Sequence, residues 1–224
     1  MPDLLLSRFA LPTAVAALLF LALGVPALRS RLRHGEWGIV LHRRADPFQA
    51  TMGAAMATLL GAVALGTGLY AAHGPTALGI WSVPAWVTAA GWLLAGAGLG
   101  LVAIAQHAMG RSWRIGIDDR PTALVERGVF ALVRNPIYLG MLAMLGGVGL
   151  VAPCAWTVCV WVMTLLILSL QTRLEERHLL ELHGEAYARY AAHVGRLVPG
   201  VGRLRRADGA AGACRRPLRL HSDA

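Results

Sequence analysis

The sequence predicts an all-α polytopic membrane protein with five transmembrane helices. Of the 224 residues, 56% are hydrophobic and only 15% are charged, a low charge content for a water-soluble globule. Five apolar segments approach the length that a helix needs to cross the hydrocarbon core of a bilayer. These segments cover residues 9–28, 50–72, 84–108, 137–152 and 154–170.

Arginine occurs in alternate connections between these segments and so predicts their orientation. The chain has no lysine, and its net charge of +9 comes from arginine. Residues 29–49 and 109–136 each hold five arginines, residues 73–83 hold none, and arginine is frequent again after residue 171. Cytoplasmic loops carry the excess of positive residues. We therefore predict an outside N-terminus, a cytoplasmic C-terminus and a multi-pass location in the cell membrane.

The basic charge favours a lipid bilayer over nucleic acid as the partner, because the arginines would face anionic headgroups. The three cysteines show no disulfide or metal-ligand spacing. Glu175-x-x-His178 occurs once, whereas carboxylate–histidine metal sites in helical bundles repeat that motif. No metal is predicted. The N-terminal apolar run lacks a clear cleavage site and is interpreted as the first retained span.

The fourth and fifth spans are predicted to form a short hairpin. As a helix, residues 137–152 reach only about 24 Å, less than the roughly 30 Å of a hydrocarbon core. This span is rich in glycine, and small residues let helices approach closely in lipid. Gly96-x-x-x-Gly100 in the third span offers a similar surface. We therefore expect close helix packing at both places.

The fifth helix is predicted to continue beyond the membrane as a cytosolic extension. No glycine or proline interrupts the chain before Gly184, which is a plausible C-terminal break. A second short helix, residues 185–194, should follow. We predict one membrane domain of residues 1–200 and, because residues 201–224 have little to bury, a basic disordered tail.

A helix start is predicted at the beginning of the fourth span. Asn135 is a favoured N-cap residue and Pro136 suits the first helical position. The unpaired N–H groups of a helix N-terminus, together with the charge of Arg134, form a site for an anion. The alternative is a capped helix start beside an arginine that reaches the membrane surface.

The cytosolic extension should return to this helix start. It would bring Gln171, Arg173, Glu175 and Glu176 near Arg134, so that a cation-rich pocket faces a carboxylate. Such a pocket suits a zwitterion such as an amino acid moiety. Aromatic faces for a cation or a heterocycle are available from Tyr138, Phe130 and Trp113.

Two segments resemble the isoprenylcysteine carboxyl methyltransferase family and the related phospholipid methyltransferases. They are "LVERGVFALVRNPIYLG" (residues 124–140) and "EERHLLELHGEAYARYAAHVGRLVPG" (residues 175–200), and the resemblance covers roughly residues 107–200. It implies that S-adenosyl-L-methionine binds in a cytosol-facing pocket and that a lipophilic or small-molecule acceptor receives the methyl group. The implied activity is that of an integral membrane methyltransferase.

The resemblance also implies roles for individual residues. Ala123, Leu124, Val125 and Phe130 would line the cofactor, and Glu175 matches the cofactor-binding glutamate of the family. The run from Arg134 through Asn135 and Pro136 to Tyr138 corresponds to the Arg-His-Pro-x-Tyr signature that holds the cofactor. Arg134 and Arg173 are the residues predicted to act in catalysis.

Two positions depart from the family pattern. The signature histidine is Asn135 here, which loses a titratable group. The arginine that eukaryotic members use toward substrate falls on Gln171, predicted to contact the acceptor, with Arg173 as its candidate replacement. These changes bear on the isoprenylcysteine acceptor and not on the methyl donor.

Two other function classes compete with this prediction. A membrane reductase using a nicotinamide cofactor shares a similar C-terminal arrangement. A transporter is disfavoured because spans one to three contain almost no ionisable group at mid-depth and no inverted repeat is visible. A soluble methyltransferase fold is excluded by the position of "GGVG", residues 146–149, inside an apolar helix.

Overall fold

The computed structural model describes residues 2–35, 47–110 and 124–204. Within these ranges the regular structure is helical, apart from one isolated parallel bridge between Val133 and Gly195. The helices are α1 (Pro2–Leu19), a π-helical turn (Phe20–Gly24), α2 (Val25–His34), α3 (Pro47–His73), a 3-10 turn (Pro75–Leu78), α4 (Ala85–Met109), a 3-10 turn (Gly128–Ala131), α5 (Pro136–Val151), α6 (Ala155–His183) and α7 (Glu185–His193).

Four helical segments of the described chain are long and apolar enough to cross a membrane. They are Phe9–Arg33, Ala50–His73, Ala85–Met109 and Ala155–His183. The remaining predicted span, the fourth along the chain, is α5, an apolar helix of 16 residues. The all-α membrane class predicted from the sequence is therefore confirmed. The count of five spans and their orientation stay predictions.

Helices α4 and α5 cross with their backbones in contact. A Cβ added at Gly98 would lie 2.5 Å from the backbone nitrogen of Met144, and one at Gly147 would lie 2.5 Å from the carbonyl oxygen of Gly91. Close approach at the glycines of the fourth span is thus confirmed. The close packing expected at Gly96 and Gly100 was wrong, because no heavy atom of a neighbouring segment lies within 4 Å of a Cβ built at either residue. Helical spacing puts these two on another side of α4.

The π-helical turn is tied to α4 by a polar side chain. Gln106 donates from Nε2 to the carbonyl oxygen of Ala22, at 2.8 Å. Ala22 itself is fully buried and packs with Val102 and Met144 in the apolar core. The Gln106 amide therefore joins α4 to the first apolar segment, whereas the next residue, His107, is exposed.

The α5–α6 hairpin and the helices after it follow the sequence prediction. Helix α5 ends at Val151, and α6 runs from Ala155 for 29 residues. Helix α6 ends before Gly184, whose φ of 52° lies in the region that favours glycine. Helix α7 then packs back against α6. This return brings the end of the described chain to the start of α5, where the candidate site lies.

Candidate functional site

The start of α5 lies where the sequence predicts it, but Asn135 works differently. Pro136 is the first helical residue and Asn135 precedes it, without a side-chain capping bond. Instead, the Asn135 side chain donates from Nδ2 to the carbonyl oxygen of Arg196, at 3.2 Å, and its backbone N–H donates to the same oxygen, at 3.1 Å. The predicted capping role of the amide is therefore wrong. The side-chain amide bonds instead to a carbonyl oxygen 61 residues away in sequence.

Arg134 is buried and bonded through both terminal nitrogens. Its Nη1 donates to the carbonyl oxygens of Ala191 (2.6 Å) and Val194 (3.1 Å). Its Nη2 donates to the carbonyl oxygen of Gly202 (2.9 Å) and to the carboxylate of Glu176. Only 1% of its side chain is exposed. Both sequence alternatives left this charge at the surface, whereas the structure compensates it inside the protein.

Glu176 is shared between two arginines. Besides accepting from Arg134, it accepts from Arg196 through Oε1 (2.9 Å from Nε) and Oε2 (2.7 Å from Nη2). This is a bidentate charge-assisted pair, the strongest class of such contacts. Hydrogen bonding to Glu176 raises the pKa of the Arg196 guanidinium above its ordinary value, and partial burial opposes that effect. The two arginines and one glutamate leave a net charge of about +1 beside the start of α5.

A second polar cluster lies next to the first and joins α5 to α6. Tyr138 donates from its hydroxyl to Oε1 of Glu175, and Gln171 donates to the same oxygen from Nε2, at 3.1 Å. Among the described residues, no donor contacts the other oxygen, Oε2. Residues 138, 171 and 175, predicted from different parts of the sequence, therefore meet around one carboxylate that keeps a free acceptor.

The segment before α5 supplies an apolar wall. Phe130 is buried in the 3-10 turn Gly128–Ala131, and Leu124 and Val125 are half-buried. The carbonyl oxygen of Phe130 accepts from the hydroxyl of Tyr190, at 2.6 Å. Burial is the main factor that raises the pKa of Tyr190 to about 12, so this hydroxyl remains a donor at neutral pH. Predicted positions Ala123 and Trp113 lie outside the described residues.

Arg173 is not brought to these clusters. It is exposed, whereas Gln171 is buried. Two residues along a helix differ by about 200° in direction, so Arg173 points away from Gln171 and Glu175. The described residues contain no group of three His, Cys, Asp or Glu side chains arranged to hold a metal ion.

The residues after α7 complete the site, and sequence analysis missed most of them. We call Val194–Leu204 the C-terminal strap. Its backbone bonds to Arg134 (N to Gly195 O, 2.8 Å), and Leu204 N donates to Ala191 O at 3.0 Å. A Cβ at Gly195 would lie 2.1 Å from Val198 O, so only glycine fits there. The only sequence signal that could have predicted this segment was the alternation of glycine with Arg196 and Pro199. The packed chain thus reaches at least Leu204.

Comparisons with known proteins agree with this architecture. Residues 86–186 match the family model of phospholipid methyltransferase. The fold is similar to the solved structure, without a monobody, of the eukaryotic intramembrane Ras methyltransferase ICMT (isoprenylcysteine carboxyl methyltransferase). The TM-score is 0.59 at 17% identity over 90% of this chain and 69% of that chain. No curated protein matches the sequence.

These matches confirm the resemblance predicted from the sequence. The family-model match runs from the start of α4 into α7 and includes Arg134, Tyr138, Glu175 and Glu176. The structural similarity, at this level of identity, shows the fold. The chain therefore has an ICMT-like fold, and its residues 86–186 are similar in sequence to the phospholipid methyltransferase family. Neither comparison favours a reductase or a transporter.

Proposed function

We propose that this chain is an integral membrane methyltransferase that uses S-adenosyl-L-methionine and acts on a lipophilic or small acceptor at the cytosolic face of the cell membrane. The observation that carries the proposal is the cluster around Glu175. Its carboxylate is oriented by Tyr138 and Gln171, and its Oε2 has no donor among the described residues, which makes this oxygen available to a ligand. All three residues lie in the segment with methyltransferase family sequence.

The described residues fit the methyl donor in charge and polarity. A cationic amino or sulfonium group suits the free oxygen of Glu175. A carboxylate suits the N–H groups at the start of α5 and the Nε of Arg134, a buried donor without a partner among the described residues. Leu124, Val125 and Phe130 would offer apolar surface to the adenosine part, with Ala123 beside them in sequence.

This fit changes the role that we assign to Arg134. Bidentate pairing with the donor carboxylate would require a terminal nitrogen of Arg134, and both are bonded to Glu176 or to carbonyl oxygens. We therefore propose that Arg134 acts mainly by holding the start of α5, with only its Nε facing the ligand. Asn135 and Pro136 would likewise contribute through the helix start. Arg173 stays a predicted residue of the acceptor side, since it is exposed.

Methyl transfer needs little from the protein beyond orientation and charge. When bound, S-adenosyl-L-methionine supplies a methyl group already activated on a sulfonium. The chain then has to hold the donor and the acceptor in line and to exclude water. Tyr138 and Gln171 fix the Glu175 carboxylate so that it need not reorient during the reaction. The apolar surfaces of the spans give a lipophilic acceptor access from the bilayer.

A binding and transfer experiment tests the proposal. At about a hundredfold excess over its dissociation constant, a ligand that binds only the folded protein stabilises it by about 2.7 kcal/mol. S-adenosyl-L-methionine should therefore raise the thermal midpoint of the detergent-solubilised protein. Labelled methyl groups should also reach a member of a panel of carboxylate, amine, thiol and hydroxyl acceptors. No midpoint shift in a well-folded preparation, or binding of reduced nicotinamide instead, would contradict the proposal.

A further inference from the structure

Arg196 connects the two helices that carry the candidate donor site. Its side chain bonds to Glu176 on α6, at 2.9 and 2.7 Å. Its carbonyl oxygen accepts two hydrogen bonds from Asn135, immediately before α5. One residue of the C-terminal strap is thus bonded to both helices, through different parts of its structure.

The two attachment points are adjacent to the ligand-facing groups. Glu176 follows Glu175 directly, and Asn135 lies three residues before Tyr138. The hydrogen bond between Tyr138 and Glu175 needs the first turn of α5 and the end of α6 at a fixed separation. Arg196 fixes that separation without contacting Tyr138 or Glu175 in the bonds described. It bonds to Glu176, one residue after Glu175, and to Asn135, one turn before Tyr138.

Arg196 differs from Arg134 in how much of the fold depends on it. The Arg196 side chain is 27% exposed, whereas that of Arg134 is 1% exposed. Glu176 keeps Arg134 as its partner when the Arg196 guanidinium is removed, so no buried charge is left alone. The strap backbone also stays bonded through Gly195 and Leu204. Loss of the Arg196 side chain should therefore loosen the site without unfolding the protein.

We propose that Arg196 is a positioning residue for the methyl-donor site, acting through Glu176 and Asn135 to hold Glu175 and Tyr138 in their binding arrangement. The inference rests on the proposed function. On this inference, the C-terminal strap contributes to donor affinity in addition to the start of α5 and Glu175.

The test compares Arg196→Met, Arg196→Lys and a matched control, Arg203→Met. Arg203 lies in the same strap and is exposed, and its substitution removes the same charge. Donor affinity and turnover are measured at a temperature far below the thermal midpoint of every variant, so that a loss of global stability alone leaves both unchanged.

We expect Arg196→Met to weaken donor binding about tenfold, as for the loss of one charge-assisted contact, with kcat at saturating donor little changed. Arg196→Lys should recover part of the affinity, because an ammonium keeps the charge but not the bidentate geometry. Arg203→Met should bind like the parent.

Equal affinity for Arg196→Met and the parent would overturn the inference. So would an equal loss in Arg203→Met, which would show a general charge effect. A parent protein that binds no donor would overturn the proposed function itself, and the positioning role with it. The two failures are thus distinguished by the behaviour of the unmodified chain.

Discussion

Glu175 and Glu176 are neighbours in α6 that bond to different parts of the protein. Glu175 accepts from Tyr138 and Gln171, whereas Glu176 accepts from Arg134 and Arg196. Successive helical residues differ by about 100° in direction, so one side chain faces the α5–α6 contact and the other faces the strap. The pair therefore divides into a carboxylate that we propose faces the ligand and one that holds the strap to α6.

Glu175→Gln should weaken donor binding without a comparable loss of stability. Glutamine keeps an acceptor for the Tyr138 hydroxyl but removes the charge that would face a cationic ligand. A lost hydrogen bond to a charged group is worth about 1.5–3 kcal/mol of affinity. Donor titration beside a melting curve checks this, with Glu181→Gln on the exposed side of the same helix as the control. Unchanged affinity would show that Glu175 does not face the donor.

Arg134→Ala should destabilise the protein strongly. The substitution breaks a buried ion pair and leaves three carbonyl oxygens without their donor. Glu176 keeps Arg196 as a partner, so the loss comes mainly from the carbonyl oxygens, and a buried acceptor left unsatisfied costs about 1–3 kcal/mol.

Chemical denaturation in detergent measures the effect of Arg134→Ala. The matched control is Arg127→Ala, an exposed arginine in the connection before α5, which should change stability by less than about 0.5 kcal/mol. Equal unfolding free energies for Arg134→Ala and the parent would contradict the buried contacts of Arg134.

The α4–α5 crossing predicts opposite outcomes for glycines a few residues apart. Gly98→Ala places a methyl group 2.5 Å from a backbone atom of α5 and should cost about 1–3 kcal/mol, as overpacking does. Gly96→Ala meets no atom within 4 Å and should be neutral or stabilise the helix by up to about 1 kcal/mol. Thermal unfolding of both variants in the same detergent measures this difference in stability. Equal melting points would refute this crossing geometry.

The predicted orientation can be tested by labelling single cysteines in a background without the native ones. Glu126→Cys, in the arginine-rich connection, should react only with reagent supplied from the cytoplasmic side. Thr76→Cys, in the connection without arginine, should react only from the opposite side. Both positions are exposed. The arginine distribution sets this expectation, and the reverse labelling pattern would reject it.

Local sequence signals predicted much of the fold and part of the site. The Asn135–Pro136 start, the break at Gly184 and helix α7 were all predicted, because helix ends depend on nearby residues. The meeting of Tyr138 with Glu175 also followed, since a short hairpin returns the chain to its starting side. In each case the information lies close to the feature in sequence.

Features that depend on distant partners were not predicted. Nothing near Phe20–Gly24 announces a π-helical turn whose carbonyl bonds to Gln106, 84 residues away. A glycine motif does not show which side of a helix will pack against a neighbour. The sequence therefore led us to expect close packing at Gly96 and Gly100, whereas α5 packs against Gly91 and Gly98. Residues 201–204 have little apolar surface, and their placement comes from hydrogen bonds of the backbone, such as those of Val201, Gly202 and Leu204.

The contacts of Arg134 can form only in a fixed order as the chain is synthesised. Glu176 follows it by 42 residues and the Gly202 carbonyl by 68 residues. A nascent chain that has inserted α5 therefore still holds an uncompensated guanidinium at the membrane surface, where phosphate headgroups can solvate it. Only when the strap leaves the ribosome can this charge withdraw into the protein. The Arg134–Glu176 cluster is thus completed last, and a chain arrested before the strap would lack the contacts of Arg134 with Val194 and Gly202.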